Sequence, residues 1–222
     1  MNKKKKQVHI EHRLDLFLPE EVQQIIDLGD ALSKEEGKIK DDKVDHSIRN
    51  SKIAWIHPSP STWWLFDRAI MVFKSGLPFS TLQSMQYTVY DNKGSHYDWH
   101  RDIGSGDNIA KARVNVAIVQ LSNPGNYKGG VLQIKYPSVK GGAFRGRYNK
   151  DGSTSQKLET RPDDKANAIT TVSKDSILVE QDEVIDVMKT RGMVTTFPIQ
   201  LEHRVTPVTS GVRKTLIMWG LK

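Results

Sequence analysis

The chain has no cysteine among its 222 residues, and that absence removes several kinds of chemistry together. Disulfide bracing, zinc–thiolate and iron–sulfur centres, and thiol nucleophiles all need a sulfur that is not there. An apolar run long enough to cross a bilayer is also missing, so no membrane association is expected. Lys3 to Lys6 supply the charge that opens a secretory leader, but Gln7, Val8, His9, Ile10, Glu11 and His12 follow where its apolar segment belongs. A reducing cytoplasm is the expected location. No internal repeat is visible. The formal net charge of +7 invites a nucleic-acid partner, yet four of those charges are Lys3 to Lys6, and the rest of the chain has an ordinary balance.

The length suits one domain with a core of its own. Residues 1–12 read as a basic flexible tail and 13–222 as the domain. Pro19, Glu20 and Glu21 open a helix, since proline fits the first turn and acidic residues complement its dipole. Val22, Ile25, Ile26 and Leu32 give it an apolar face, and Gly37 is expected to close the unit. A second helix is expected from Ser61 to near Gly76, burying Trp64, Leu65 and Ile70. From Thr81 the pattern changes to short β-rich runs, 82–90, 114–121, 130–136, 193–197, 203–208 and 212–219, punctuated by Gly, Asn, Pro and Ser. Strands in succession without long helices between them argue for a sandwich or barrel, with the helices packed on one sheet. The interval 140–174, rich in Gly, Ser, Lys, Arg and Asp, reads as an insertion, either a lid or a disordered loop.

His100-Arg101-Asp102, answered a hundred residues later by His203 and Arg213, carries the chemistry. Two histidines and one carboxylate on one face of a metal leave three positions open, the arrangement by which non-haem Fe(II) oxygenases hold a bidentate co-substrate and O₂. A second His-x-Asp, His96-Tyr97-Asp98, directly precedes the first. His96 and His100 cannot both reach one ion from a regular strand, because positions four apart lie about 13 Å apart. The 100/102 pair is preferred because Gly104, Ser105 and Gly106 let the strand bend after it. Val208 and Val212 flank Thr209-Ser210-Gly211, which reads as a three-residue hairpin loop pairing residue 213 with 207. His203 and Arg213 then share a face about 13 Å apart, a span that suits a metal at one end and a guanidinium gripping a carboxylate at the other. Thr215 faces the same way, with Ile217 and Trp219 beyond it, while Lys214, Leu216 and Met218 look outward.

These residues resemble the Fe(II)/2-oxoglutarate-dependent oxygenases, in the prolyl 4-hydroxylase-like branch of bacteria and their viruses. The resemblance runs through Phe17-Leu18-Pro19, Arg49-Asn50-Ser51 to Trp55, and Gln86-Tyr87 through Tyr90, Gly94 and Tyr97 to His100 and Asp102. It continues through Gln120-Leu121-Ser122, Tyr127-Lys128-Gly129-Gly130, Phe197-Pro198 and His203 to Val208 with Gly211 and Arg213. It implies a double-stranded β-helix, or jelly roll, mainly β with flanking N-terminal helices. Iron is then held by His100, Asp102 and His203, and the distal carboxylate of 2-oxoglutarate by Arg213, with Tyr90 and Thr215 beside the co-substrate. Tyr97, His96, Trp219 and the insertion are the candidate substrate contacts. Ala112-Arg113-Val114-Asn115 departs from the family, where Lys-Leu-Ser commonly follows the arginine.

The reaction so implied couples oxidative decarboxylation of 2-oxoglutarate to hydroxylation of an unactivated C–H bond, with ascorbate as the expected reductant of oxidised iron. The resemblance favours a peptide or protein substrate, most simply at proline, in a host cytoplasm if the chain is viral. A free amino acid or small metabolite is an alternative. A nucleic-acid-modifying oxygenase is another, encouraged by Lys3 to Lys6 and disfavoured because Trp219 stands where such enzymes carry a second arginine. A non-catalytic jelly roll has no reason to keep all four of His100, Asp102, His203 and Arg213.

Overall fold

The computed structural model describes residues 10–39, 42–74, 79–91, 93–103, 108–135 and 184–222, with the backbone of 143–147, 159–161 and 176–179. The chain enters through β1 (Glu11–Arg13) and α1 (Pro19–Ala31), then β2 (Glu35–Glu36), β3 (Arg49–Asn50), β4 (Lys52–Ile56) and α2 (Trp63–Lys74). Next come β5 (Thr81–Leu82), β6 (Met85–Tyr90), β7 (His96–His100), the short α3 (Asn108–Ala112), β8 (Arg113–Gln120), β9 (Tyr127–Gly129) and β10 (Leu132–Lys135). β11 (Ala143–Arg147), β12 (Glu159–Arg161) and β13 (Ser176–Val179) form a three-stranded sheet of their own. The chain ends with β14 (Val184–Asp186), β15 (Val194–Pro198), β16 (His203–Val205), β17 (Val208–Gly211) and β18 (Arg213–Leu221).

Two antiparallel sheets make the jelly roll. The larger has the order β1-β15-β8-β18-β6-β4-β2, with β5 also on β18; the smaller has the order β14-β10-β16-β7-β3. Period-two alternation sorts each central strand between two cores. Val116 and Ile118 of β8 and Trp219 of β18 meet Leu132, Ile134 and Val205 of the smaller sheet inside the roll. Their neighbours Ala117, Val119, Leu216 and Met218 pack on the other side, beneath Val22 and Ile25 of α1 and Leu65, Ala69, Val72 and Phe73 of α2. The strands of the larger sheet are apolar on both faces because the helices cover what would otherwise be the solvent face. The Glu21 carboxylate accepts from the Leu18 N–H at 2.8 Å, and its other oxygen accepts two N–H bonds from Arg68 of α2 at 2.9 and 2.7 Å. One side chain thus satisfies the start of α1 and ties the two helices together.

Three sequence expectations change. The body begins before residue 13: Glu11–Arg13 pairs with Val194–Thr196, and Ile10 and His12 are buried. The lysines of the tail lie outside the described residues, as do Gly104 to Gly106, Gly76 and, apart from the backbone of β11 and β12, the interval 140–174. α1 stops at Ala31, well short of Gly37. Gly37 is needed for a different reason: a Cβ there would sit 2.5 Å from both Arg49 Nε and Ser51 Oγ, so glycine makes room for a buried arginine. Finally, residues 203–213 do not form the expected hairpin. β17 pairs with β9, and Arg213 pairs with Tyr90 of β6. Both edges of β18 are taken, by β6 and β8, so no place is left beside it for the preceding segment. Alternation alone puts Arg213, Thr215, Ile217 and Trp219 on the inner face, as expected.

Candidate active site

β7 and β16 are neighbours in the smaller sheet, with His203 opposite His100. That pairing brings together side chains a hundred residues apart, and Asp102, just past the end of β7, completes the group. Asp102 Oδ1 lies 3.6 Å from His100 Nε2 and 3.8 Å from His203 Nε2. Two ligand atoms each bonded at about 2.1 Å to one ion can be no more than about 4.2 Å apart, so both separations admit a shared metal. Among the described residues, His100, Asp102 and His203 form the cluster with metal-ligand geometry.

The imidazoles are already oriented. His100 Nδ1 lies 2.7 Å from the Asp98 carbonyl and His203 Nδ1 lies 3.1 Å from the Leu201 carbonyl. A carbonyl can only accept, so each Nδ1 carries the proton and each Nε2 turns its lone pair to the common centre. Burial, reinforced by His203 and partly opposed by Asp102, pulls His100 down to about 3, which keeps it an uncharged ligand. Burial alone would raise Asp102, but His203, His100, the Trp219 indole N–H and Arg113 bring it below the ordinary carboxylate range. At neutral pH His100 is therefore a neutral imidazole and Asp102 a carboxylate.

A β-bulge decides which neighbours join them. His203 faces His100, yet Val205, two residues on, faces Tyr97, three residues back. The extra residue in β7 breaks the alternation. Tyr97, which a regular strand would point away, lies stacked on His100 with ring centroids 3.4 Å apart and 14° between planes. Arg49 covers the Tyr97 ring at 4.6 Å. His96 goes the other way, its ring nitrogens 2.9 and 3.2 Å from the carbonyls of Gly94 and Ser47, and it does not line the cavity. Of the three expected substrate contacts, Tyr97 and Trp219 do line the cavity.

Arg213 is 2% exposed, and its Nε and Nη1 have no hydrogen-bond partner. Its guanidinium lies 5.3 Å from the Tyr90 ring, and Tyr90 itself forms part of the wall around the metal ligands. A buried cation with unpaired donors is costly unless an anion completes it. Burial lowers its affinity for a proton, with Tyr90 and Tyr127 working the other way. Gln120, Thr195 and Lys189 line the same recess as Arg213. Thr215, also buried, lies two residues along the same face. A carboxylate is a group that fits these donors.

The metal ligands open into a cavity of about 580 Å³. Trp219 stands in its wall and donates its indole N–H to Asp102 Oδ2 at 2.8 Å. Arg113 lies over the Trp219 ring at 3.9 Å and donates from Nε to Gln83 at 2.8 Å. Arg49, Arg113, Lys189 and Gln120 had no role from the sequence; Arg49 and Gln120 stood inside recognisable segments, but their burial comes only from the fold.

The comparisons with known proteins agree with this geometry. Residues 85–220 match the model of the 2OG-Fe(II) oxygenase superfamily, a segment that contains all four of His100, Asp102, His203 and Arg213. No curated protein sequence matches the chain. Among solved structures, a prolyl hydroxylase from Trichoplax adhaerens, in complex with a hypoxia inducible factor oxygen degradation domain peptide fragment, superposes with TM-score 0.58 at 15% identity, over 90% of this chain and 76% of that one. A Pseudomonas putida prolyl-4-hydroxylase gives 0.56 at 15% identity, over 97% and 93%. The viral collagen prolyl hydroxylase of Paramecium Bursaria Chlorella virus-1, in its 2OG complex, gives 0.55 at 15% identity, over 96% and 97%. At such identities the structures speak for the fold, and it is the family match over most of the chain, with the triad and arginine in place, that assigns it: the chain belongs to the 2OG-Fe(II) oxygenase superfamily.

Proposed function

We propose that this oxygenase hydroxylates an unactivated C–H bond of a peptidyl residue, proline first among them. The observation that carries the reading is the pairing of a His-Asp-His cluster with a buried arginine whose donors await a carboxylate. His100 and His203 would hold ferrous iron through Nε2 and Asp102 through Oδ1, while Arg213 would anchor the far carboxylate of 2-oxoglutarate. Bound together, the two would let O₂ act as the oxidant, one of its atoms entering the succinate formed with CO₂ from 2-oxoglutarate and the other the hydroxylated C–H bond. The chain's own contribution is placement. The carbonyls of Asp98 and Leu201 hold the imidazole tautomers, Tyr97 covers one face of His100, and the apolar walls of Ile118, Val205 and Ile217 keep water from the reacting bond.

A peptide substrate is supported by the size of the cavity and by the half-exposed apolar residues Ile48 and Ile103 on its wall. The neighbour carrying a bound peptide supports it too. Ascorbate is the proposed reductant of iron oxidised in uncoupled turnover. The nucleic-acid alternative gains no observation here, since the Trp219 position that would need a second arginine instead serves Asp102. The test is incubation of the purified protein with Fe(II), 2-oxoglutarate, O₂ and a library of proline-containing peptides. Succinate release with a peptide gaining the mass of one oxygen atom supports the proposal. Succinate release with no modified peptide, but with a modified free amino acid or oligonucleotide, would transfer the activity to that substrate.

A further inference from the structure

We propose that Trp219 is a positioning residue of the metal site, whose indole N–H holds Asp102 Oδ2 out of the coordination sphere so that the carboxylate can bind through Oδ1 alone. The inference rests on the functional reading above. The two carboxylate oxygens are already sorted: Oδ2 accepts from Trp219 Nε1 at 2.8 Å, while Oδ1 is the oxygen facing the two imidazoles at 3.6 and 3.8 Å. This division matters for counting positions. A ferrous ion with six positions, two imidazoles and a one-oxygen carboxylate keeps three open, two for a chelating co-substrate and one for O₂. A carboxylate binding through both oxygens would take the last of these.

The indole is itself held from several sides. Its backbone lies in β18, a strand paired on both edges, and its side chain is 4% exposed. The Arg113 guanidinium lies 3.9 Å from the ring, fixed by its bond to Gln83, and the Trp55 ring packs at 6.0 Å with a 37° tilt. The N–H therefore cannot swing toward a ligand in the cavity without abandoning both neighbours and leaving a buried carboxylate oxygen unpaired. The sequence suggested a substrate contact for Trp219; the donor that would make a polar contact is committed to Asp102.

The test removes the N–H and leaves the shape. Benzothienylalanine, in which sulfur replaces the indole N–H, is placed at position 219 by codon suppression, with Trp219→Phe as a second, genetically simple variant. Each metal-free protein is titrated with Co(II) alone, without co-substrate, and its ligand-field absorption is recorded. The expected result is a changed ligand-field spectrum, weaker bands marking the added carboxylate oxygen, and Co(II) affinity reduced about 10- to 100-fold, the usual effect of losing a group that orients a ligand. Under turnover, more succinate should form per hydroxylated product. An isosteric variant with unchanged spectrum and unchanged Co(II) affinity overturns the proposal, and so does a raised peptide KM with Co(II) binding intact, which would return Trp219 to the substrate. A wild-type protein that fails to bind Co(II) at all would instead overturn the metal-site reading beneath it.

Discussion

Replacing Arg213 with methionine should separate stability from co-substrate binding. The guanidinium is 2% exposed with Nε and Nη1 unpaired, and each unsatisfied buried donor costs about 1–3 kcal/mol. Methionine has similar length, no charge and enough flexibility to fill the space. Unfolding of the metal-free Arg213→Met protein in urea should therefore show equal or greater stability than wild type, by up to about 3 kcal/mol. Binding should move the other way. Losing one partner of a buried, hydrogen-bonded charge pair costs about 2–5 kcal/mol, which weakens affinity from about 30-fold to a few thousand-fold. Calorimetric titration of 2-oxoglutarate into the Co(II)-loaded proteins reads this directly. A variant that binds 2-oxoglutarate within threefold of wild type would show that Arg213 is not the anchor. One that unfolds well before wild type would show that its charge is already compensated in the folded protein.

His12 is buried, with Nδ1 3.0 Å from Thr195 Oγ1, and burial pulls it from 6.5 down to about 3. Between those values the unfolded chain holds the extra proton, so folding stability falls as pH drops through that window, by about 1.4 kcal/mol per unit. His12→Asn, which keeps a polar partner for Thr195 and cannot titrate, should lose about 2 kcal/mol less than wild type between pH 7 and 5; equal losses in urea titrations would contradict this. Gly29→Ala in α1 improves helix propensity but brings a Cβ to 2.4 Å from Tyr87 Cγ. Overpacking costs about 1–3 kcal/mol, so the urea midpoint should fall, and a rise would mean that Tyr87 yields freely. His100→Ala should bind no Co(II) at the cluster and release no succinate above background, checked by titration and by product assay.

The sequence displays the site's chemistry more clearly than its geometry. His100, Asp102, His203 and Arg213 are residue types with few other reasons to be buried together, and the alternation of β18 alone turns Arg213 and Trp219 inward. The helices were legible from their spacing and from Pro19. The bulge in β7 was not, because His96 to His100 reads as regular alternation and the extra residue is set by β16, a hundred positions away. The same limit hid the crossing at β17, whose partner β9 is far back in the chain. β1 escaped notice as three residues behind a charged stretch, made into a strand only by the edge of β15. Arg49 and Arg113 look like surface charges until the fold lays them over Tyr97 and Trp219.

The central claim is that His100, Asp102 and His203 share one ferrous ion within reach of a diacid held by Arg213. Anaerobic titration of Fe(II) into metal-free protein with 2-oxoglutarate, followed in the visible range, tests it most directly. A charge-transfer band should grow to one equivalent in wild type, be absent from His203→Ala, and require far more 2-oxoglutarate in Arg213→Met. The same band at full strength in His203→Ala, or none in wild type, would contradict the account.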